Sequence, residues 1–596
     1  MPESNHERHS AVWKSLDNRV PETLRELDEL ALARALGVDR QRISILWPSL
    51  TRTGRASYVA LDVGTDERLL QIGGDPELGD PLWHDPTTGQ FLYSFSARDH
   101  VTVRAFAEKI DRAFLPRPQR DQPAIAAGNR HPEISLPAIF DAFRAILRET
   151  GKNLASTVQL SATREMTTAA GVAARDGSNP TAPGHTRVSI GHLYHAGLWA
   201  AIRAGYRAGY NAEADHFIVS GSDDRAIATS VERVKEAIRE VADYTKFTTD
   251  TSRVFDLRAD PRHPDPWSEA QIEELFEQRL TAGERSWLFD AFSGAFDCGD
   301  RVYSFSRNEL KRLAVKFGPS LKLNEKLYDA IAHEKQGAAF DFEPSLDEAE
   351  TLTTPQELIF YLHWLRERGR PAQLVPPNLG FKKRQAYPES RAALGEYASH
   401  KMWPELAGRV DRDFEGDPLR ELKQRVAELA AVARYFDGTL SIHSGSGKQA
   451  EVLRSIGAAT AGRVNYKISG ELQLQLFDVL SEQPAGSAER ALFERMAAAC
   501  ERFAAEGAFG EESALAAPYR ASHGAYLGDS RRGRVDGNLF LIFWLGNMVG
   551  SRDEDGRFFK ESLDHLPDFI VEETRRRNSE YVRWLAAQLF SAADVD

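Results

Sequence analysis

The chain has 596 residues, of which 88 are acidic and 75 basic, giving a formal net charge of −13. That field repels phosphate and argues against general binding to nucleic acid or anionic membrane, while a small anionic substrate could still be met by a few local cations. Two cysteines supply neither a disulfide framework nor a cysteine zinc site, and they fit a reducing compartment.

The opening decamer MPESNHERHS has no apolar h-region, and the most apolar run, Leu539 to Leu545, is far below the roughly 20 residues a bilayer needs. A cytoplasmic protein without membrane contact is therefore expected. A helix is predicted from Pro21 to Leu36. Alternating runs follow, ISILWPSL, ASYVALDV, RLLQIGG and QFLYSFSA, separated by turn residues, and they predict a small strand-rich accessory domain over residues 1–125. Residues 115–124, LPRPQRDQPA, are Pro-rich and polar and read as a linker.

From Leu136 onward, amphipathic helical patterns alternate with short apolar runs that end in polar residues. The runs lie at 153–161, 212–219, 244–250, 338–345, 372–378, 438–444, 463–469 and 538–546. Strands alternating with helices imply parallel βα units, and about eight of them imply a (β/α)8 TIM-like barrel, here over 126–596. An open doubly wound α/β sheet is the alternative, but no GxGxxG follows the first strand to support its dinucleotide-binding form. Residues 251–337 and 471–537 are long for crossovers and predict helical insertions.

Barrel chemistry gathers at the C-terminal ends of strands. The predicted strands end in Gln159 and Ser161, Asp215 and His216, Asp250, Glu343 and Ser345, Asn378, His443 and Ser444, and Lys467. Capping does not require so many acids and imidazoles. Asp215 and His216 pair a carboxylate with an imidazole, a set suited to zinc or manganese; an N-cap Asp beside a half-buried His is the plainer alternative. FDFEPSLDEAE places Asp341, Glu343, Asp347 and Glu348 within a short span, fit either for a metal or base or for a solvated helix start. In HSGSGK, residues 443–448, successive backbone N–H groups and Lys448 can cradle an anion, or simply form a tight turn. It is no Walker A loop, because Ile442 stands where a glycine is needed. Arg164 and Glu165 offer a carboxylate grip beside an acid, or a surface pair. His192 and His195, one helical turn apart, read as structural, as do His363 and His400.

These residues fall in pieces that resemble the tagaturonate epimerase family: SATREM (161–166), AEADHF (212–217), KFTTDTS (246–252), FDFEPSLDEAETLTTP (340–355), LSIHSGSGK (440–448) and VNYKISG (464–470). They are collinear with the family over most of 155–470, and LDEAETLTTP and IHSGSGK are the most specific. Glu213 stands where the pattern has an Asp, and Gly447 where it has an acid before Lys448. The resemblance implies a metal-dependent epimerase that interconverts D-tagaturonate and D-fructuronate. It implies Glu165 and Asp215 as catalytic acid and base, and His216, His443 and Glu343 as metal ligands. Arg164, Glu343, Asp347, Ser444, Lys448 and Lys467 are the residues expected to face substrate. The cofactor expected is a divalent ion, zinc or manganese, and the partner a sugar acid, with a homo-oligomer allowed. The inverted carbon lies β to the ketone, so its C–H is not acidified, and a retro-aldol split with re-addition is the expected route. A metal-dependent aldolase or ketose isomerase, and a silent sugar-acid sensor, stay open as alternatives.

Overall fold

The alternating runs near the N-terminus form an antiparallel sheet. The computed structural model describes residues 43–63, 66–87, 89–154, 156–161, 187–347, 351–381, 387–388, 416–443, 445, 447–468, 470–506 and 545–590. In it β1 (Ile43–Arg52), β2 (Ser57–Val63), β3 (Asp66–Ile72), β4 (Trp83–Asp85) and β5 (Gln90–Ser94) pair in the order β1-β2-β3-β5-β4. Alternation places Val59, Leu61, Leu70 and Leu92 in one buried cluster. This sheet belongs to a unit formed by the chain through Leu115 together with Tyr194–Gly209. Gly205, at φ +65°, has to be glycine there, since a Cβ would lie 1.9 Å from the Pro48 carbonyl oxygen. The helix predicted at 21–36 lies outside the described residues.

The second unit holds Pro116–Leu193 and Tyr210–Asp596. Among its described residues one sheet has eight strands, β6 (Ala124–Gly128), β7 (Ser156–Ser161), β8 (Tyr210–Ile218), β9 (Lys246–Asp250), β12 (Asp341–Pro344), β13 (Leu374–Val375), β14 (Thr439–Ile442) and β15 (Val464–Ile468). All their pairings are parallel, in the order β12-β9-β8-β7-β6-β15-β14-β13. Helices fall between them, for example Pro132–Thr150, Asp224–Glu240, Pro355–Glu367, Pro418–Tyr435 and Ala450–Thr460. Thr354 starts the helix Pro355–Glu367 with a capping box to Glu357 and a proline at its first position.

The first of the eight strands is β6, whereas the run expected at 538–546 supplies none among the described residues. Residues 538–544 lie outside them, and Leu545–Gly550 is a 3-10 helix. The sequence AIAAG of β6 carries a single β-branched residue, Ile125, among Ala and Gly, too little of the branched and aromatic enrichment that marks a strand. The stretch just before it, read as a linker, is tied across strand starts. Arg117 N donates to Tyr210 O, and Gln119 N and Arg120 N donate to Asp341 Oδ2 at 2.8 and 3.0 Å. Thr439 Oγ1 reaches Asp121 O, and Arg463 pairs with Asp121. One short segment thus touches the beginnings of β8, β12 and β14 and the residue before β15.

No ladder joins β12 to β13, but Gln373 N donates to Phe342 O at 3.0 Å and Leu346 N to Pro376 O at 3.1 Å. The sheet is therefore strongly curled. The expected insertion at 251–337 contains the helices Glu269–Arg279, Ala282–Ala291 and Arg307–Lys335 and a hairpin of β10 (Phe296–Cys298) and β11 (Arg301–Tyr303). Of 471–537, the described part forms the helices Glu471–Ser481 and Ala488–Ala505. Among the described residues no helix is long and apolar enough to cross a membrane.

Candidate functional site

Parallel strands covered on both faces normally read as near-continuous apolar runs. Here one face of the sheet is polar and buried. Most outward positions are apolar or aromatic, such as Ala212 and Ala214 in β8, Phe247 in β9, Phe342 in β12 and Tyr466 in β15, while Thr249 donates to Asn324. Between them stand Asn211, Glu213 and Asp215, then Lys246, Thr248 and Asp250, then Asp341 and Glu343, then Asn465 and Lys467. Period two along each strand puts each set on one face.

The deepest layer contains Asn211, whose amide donates to Asp341 Oδ2 at 3.0 Å. The next is ionic. Lys467 Nζ lies 2.5 Å from Glu213 Oε1, 2.5 Å from Glu343 Oε1 and 2.8 Å from Asp215 Oδ1. Lys246 Nζ bridges the remaining oxygens, at 3.2 Å from Glu213 Oε2 and 2.9 Å from Glu343 Oε2. Thr248 Oγ1 donates to Glu213 and Glu343. Glu213, Asp215 and Glu343 each offer an oxygen within 4.8 Å of the others, a spacing a metal could use, but the Lys467 ammonium contacts all three. Lys467 thus faces protein carboxylates.

The outermost layer holds both imidazoles. His443 follows β14, with Nε2 2.9 Å from Glu343 Oε1 and Nδ1 3.1 Å from Asp347 Oδ2. Ser345 donates to the other oxygen of Asp347. His216 has its ring centroid 5.4 Å from that of His443, Nε2 3.6 Å from Asp215 and Nδ1 3.9 Å from Asp250. Flat strands about 4.8 Å apart would separate β12 from β14, six places along in the order, by roughly 29 Å. The direct contact of His443 with Glu343 is a product of the curl.

Asp215 and His216 are consecutive, yet both reach this face. The β8–β9 register steps from Ala214↔Phe247 to Phe217↔Thr249, so two residues on β8 oppose Thr248 alone. This is a β-bulge, and His216 sits in it at φ +53°, a region few non-glycine residues adopt. The bulge turns what strict alternation would send outward into the site.

Burial raises the carboxyls of Asp215, Glu343 and Asp347, but neighbouring cations outweigh it and hold all three below the usual carboxylate range. For Asp215 these are His216, Lys467 and His443; for Glu343, Lys246 and Lys467; for Asp347, chiefly His443. Burial lowers His443, yet Asp347 and the hydrogen bonds to Asp347 and Glu343 lift it to about 9. Both nitrogens of this ring face carboxylate oxygens. A neutral imidazole would aim one lone pair at an acceptor, and either a second proton or a metal ion on that nitrogen removes the conflict. Two imidazoles amid carboxylates form a donor set that fits zinc or manganese.

Lys448 is buried outside this cluster, its ammonium 5.1 Å from the centre of the Phe381 ring. Burial pulls it down to about 7, against the opposing charge of Glu471. Gly447 has φ +76°, which a side chain would strain. Gly445 lies against Tyr466, whose hydroxyl donates to the Gly445 carbonyl at 2.6 Å. Arg164, Glu165 and Ser444 lie outside the described residues. Lys246 and Glu213 were not singled out as site residues in the sequence, where a Lys opening a strand looks like a solvated end; the charge complementarity of paired positions Glu213 and Lys246 was the available signal.

The profile of the tagaturonate epimerase family (UxaE) matches residues 185–382. A curated tagaturonate/fructuronate epimerase from Thermotoga maritima is 26% identical over 287 residues, 48% of this chain and 49% of that protein, so the match spans about half the relative's length. The native crystal structure of fructuronate-tagaturonate epimerase UxaE from Cohnella laeviribosi superposes with a TM-score of 0.66 at 16% identity, covering 95% of this chain and 99% of that one. Its complex with one glycerol gives 0.65 at 18%, covering 96% and 99%. At these identities the structural likeness speaks for the fold.

Proposed function

We propose that the chain is a divergent member of the tagaturonate epimerase family and that it interconverts keto-hexuronates of the D-tagaturonate and D-fructuronate type with a divalent metal, a reading supported by the family profile over residues 185–382 and by the fold it shares with UxaE. The observation that carries the reading is the meeting of His216, His443, Asp215 and Asp347 on one buried polar face. The fold proposed for it is a closed (β/α)8 barrel. In its support, the first and last of the eight strands in sequence, β6 and β15, pair, and the two bonds between the neighbourhoods of β12 and β13 span the one gap in the ring. The strand-rich N-terminal residues are an accessory domain in this reading.

His216 and His443, with Glu343 and Asp347 beside them, would hold the ion, which when bound acts as a Lewis acid on the substrate ketone. Asp215 is ionised and is the base proposed to take the proton of the β-hydroxyl. The bond between the α and β carbons then breaks, its electron pair passing into the enediolate while the hydroxyl oxygen becomes an aldehyde. The aldehyde turns, the same bond re-forms on its other face, and the proton returns to oxygen. Lys467 serves as the fixed counter-ion that orients Asp215 and Glu343. Glu165 as the partner acid, Arg164, Ser444 and Lys448 toward the substrate carboxylate, and the sugar acid itself follow from the family pattern.

Turnover of tagaturonate and fructuronate in D2O tests the route. Epimer without deuterium at the inverted carbon is expected, and stoichiometric incorporation there would eliminate the carbon–carbon cleavage. His443→Ala is expected to lower turnover on the order of 10²–10⁴-fold, the range typical of a lost catalytic group.

A further inference from the structure

A second group of imidazoles and carboxylates lies just after β6, built from residues the mechanism does not use. His131 is the N-cap residue of the helix Pro132–Thr150, but its side chain does not cap that helix. It is 3% exposed, with Nδ1 3.6 Å from Glu133 Oε2 and Nε2 3.2 Å from Asp564 Oδ1. Neither ring nitrogen makes a hydrogen bond, nor does Glu133 Oε2. The other oxygen of Glu133 lies 3.0 Å from His192 Nε2. One ligand atom from each of His131, Glu133 and Asp564 lies within 4.8 Å of the others, and Asp564 follows directly on the short helix Phe559–Leu563.

The chemistry of this group is that of the His443 site: an imidazole held between two carboxylates, so that a neutral ring turns a lone pair on an acceptor. Buried polar atoms without hydrogen bonds are costly. The cation already present is Lys560, 2.6 Å from Asp564 Oδ1 but 3.5 Å from Glu133 Oε2. That ammonium stands too far from Glu133 Oε2 to hydrogen-bond it well and leaves both His131 nitrogens without a hydrogen bond. In the sheet, by contrast, Lys467 contacts all three carboxylates of its cluster at 2.8 Å or less. A divalent ion would satisfy His131, Glu133 and Asp564 together, and mixed nitrogen and oxygen donors suit zinc or manganese.

We propose that His131, Glu133 and Asp564, with His192 orienting Glu133, form a second divalent-cation site. It is a structural site that ties the segment around Asp564 to the helix following β6, and it is separate from the chemistry. The inference stands apart from the epimerase reading, since bound metal is counted without turnover.

The test strips the full chain with a chelator, dialyses it against zinc(II) and separately against manganese(II), and measures bound metal by plasma emission. Two equivalents per chain are expected with at least one of the ions. His131→Ala and Asp564→Asn should each lose one equivalent and keep turnover, while His443→Ala should lose the other. Metal should raise the Tm of His443→Ala, a shift that His131→Ala in the same background abolishes. Lys560→Met should hold metal at least as tightly as the natural chain. A single equivalent that survives His131→Ala and Asp564→Asn overturns the proposal, as does the absence of any bound metal. If His131→Ala fails to fold, Asp564→Asn alone decides by the same count.

Discussion

The antiparallel sheet buries Val59, Leu61, Leu70 and Leu92, whereas the parallel sheet buries Glu213, Lys246, Glu343 and Lys467 at corresponding depth. Each apolar side chain contributes through the area it removes from water, and neighbours can partly relax when one is cut short. The charged set behaves otherwise. Burying an ion costs several kcal/mol, and only complete pairing offsets this, so the layer is stable as a whole or not at all. The apolar sheet spreads its stability over many small terms, while the charged layer concentrates it in a few groups that also hold the imidazoles in place.

The sharpest way to break this comparison is to cut one member from each side. Lys467→Met strands three carboxylates, and a loss of about 3–5 kcal/mol in urea unfolding is expected together with loss of turnover. Leu61→Ala should cost about 2–5 kcal/mol while leaving activity per folded molecule unchanged. Equal activity in the two variants would erase the distinction.

Acidity sharpens it next, in protein freed of metal. His443 is raised from its ordinary value to about 9, so the stability it supplies is whole below about pH 6.5 and is lost as pH climbs through about 9. Lys448 is lowered to about 7 and has the opposite sign. Between about 7 and its ordinary value near 10.5 the unfolded chain binds the extra proton, so stability rises with pH across that window. The two oppose each other between about pH 7 and 9. His443→Asn leaves only the Lys448 effect, and its urea midpoint should climb more steeply over that span than that of the natural chain. A parallel response would remove His443 from the balance.

The smallest effect is expected at the strand starts. Asp341 accepts from Gln119, Arg120 and Asn211 through one oxygen, and Asp341→Asn retains an acceptor oxygen for those donors. A loss of about 1 kcal/mol, with turnover intact, is the expected outcome.

The expected strand runs at 153–161, 244–250, 338–345, 372–378, 438–444 and 463–469 contain β7, β9, β12, β13, β14 and β15, and the run at 212–219 overlaps β8, which starts two residues earlier, because apolar runs closing on polar residues are a local signal. β6 escaped for lack of that signal: Ile125 alone among Ala and Gly does not announce a strand, though pairing partners flank it on both sides. The tethered stretch before β6 escaped for a different reason. Its Pro-rich polarity is that of a linker, and distant partners, Asp341 and also Tyr210, Thr439 and Arg463, give it a fixed place. In the site, His443 beside Glu343 and Asp347 was legible as strand-end chemistry. The engagement of Lys467 by carboxylates and the contribution of Lys246 were not, since charge pairing across strands depends on register. His192 read as a structural histidine, and its contact with Glu133 crosses 59 positions of sequence.

The bulge in β8 makes the length of that strand part of its chemistry. Removing one residue between Ala214 and Phe217 would restore regular pairing with β9 and swing either the imidazole or the carboxylate into the apolar packing around Phe247. Substitutions on the buried outer face of β8 would act through packing, but a deletion there would be as disabling as the loss of His216 itself.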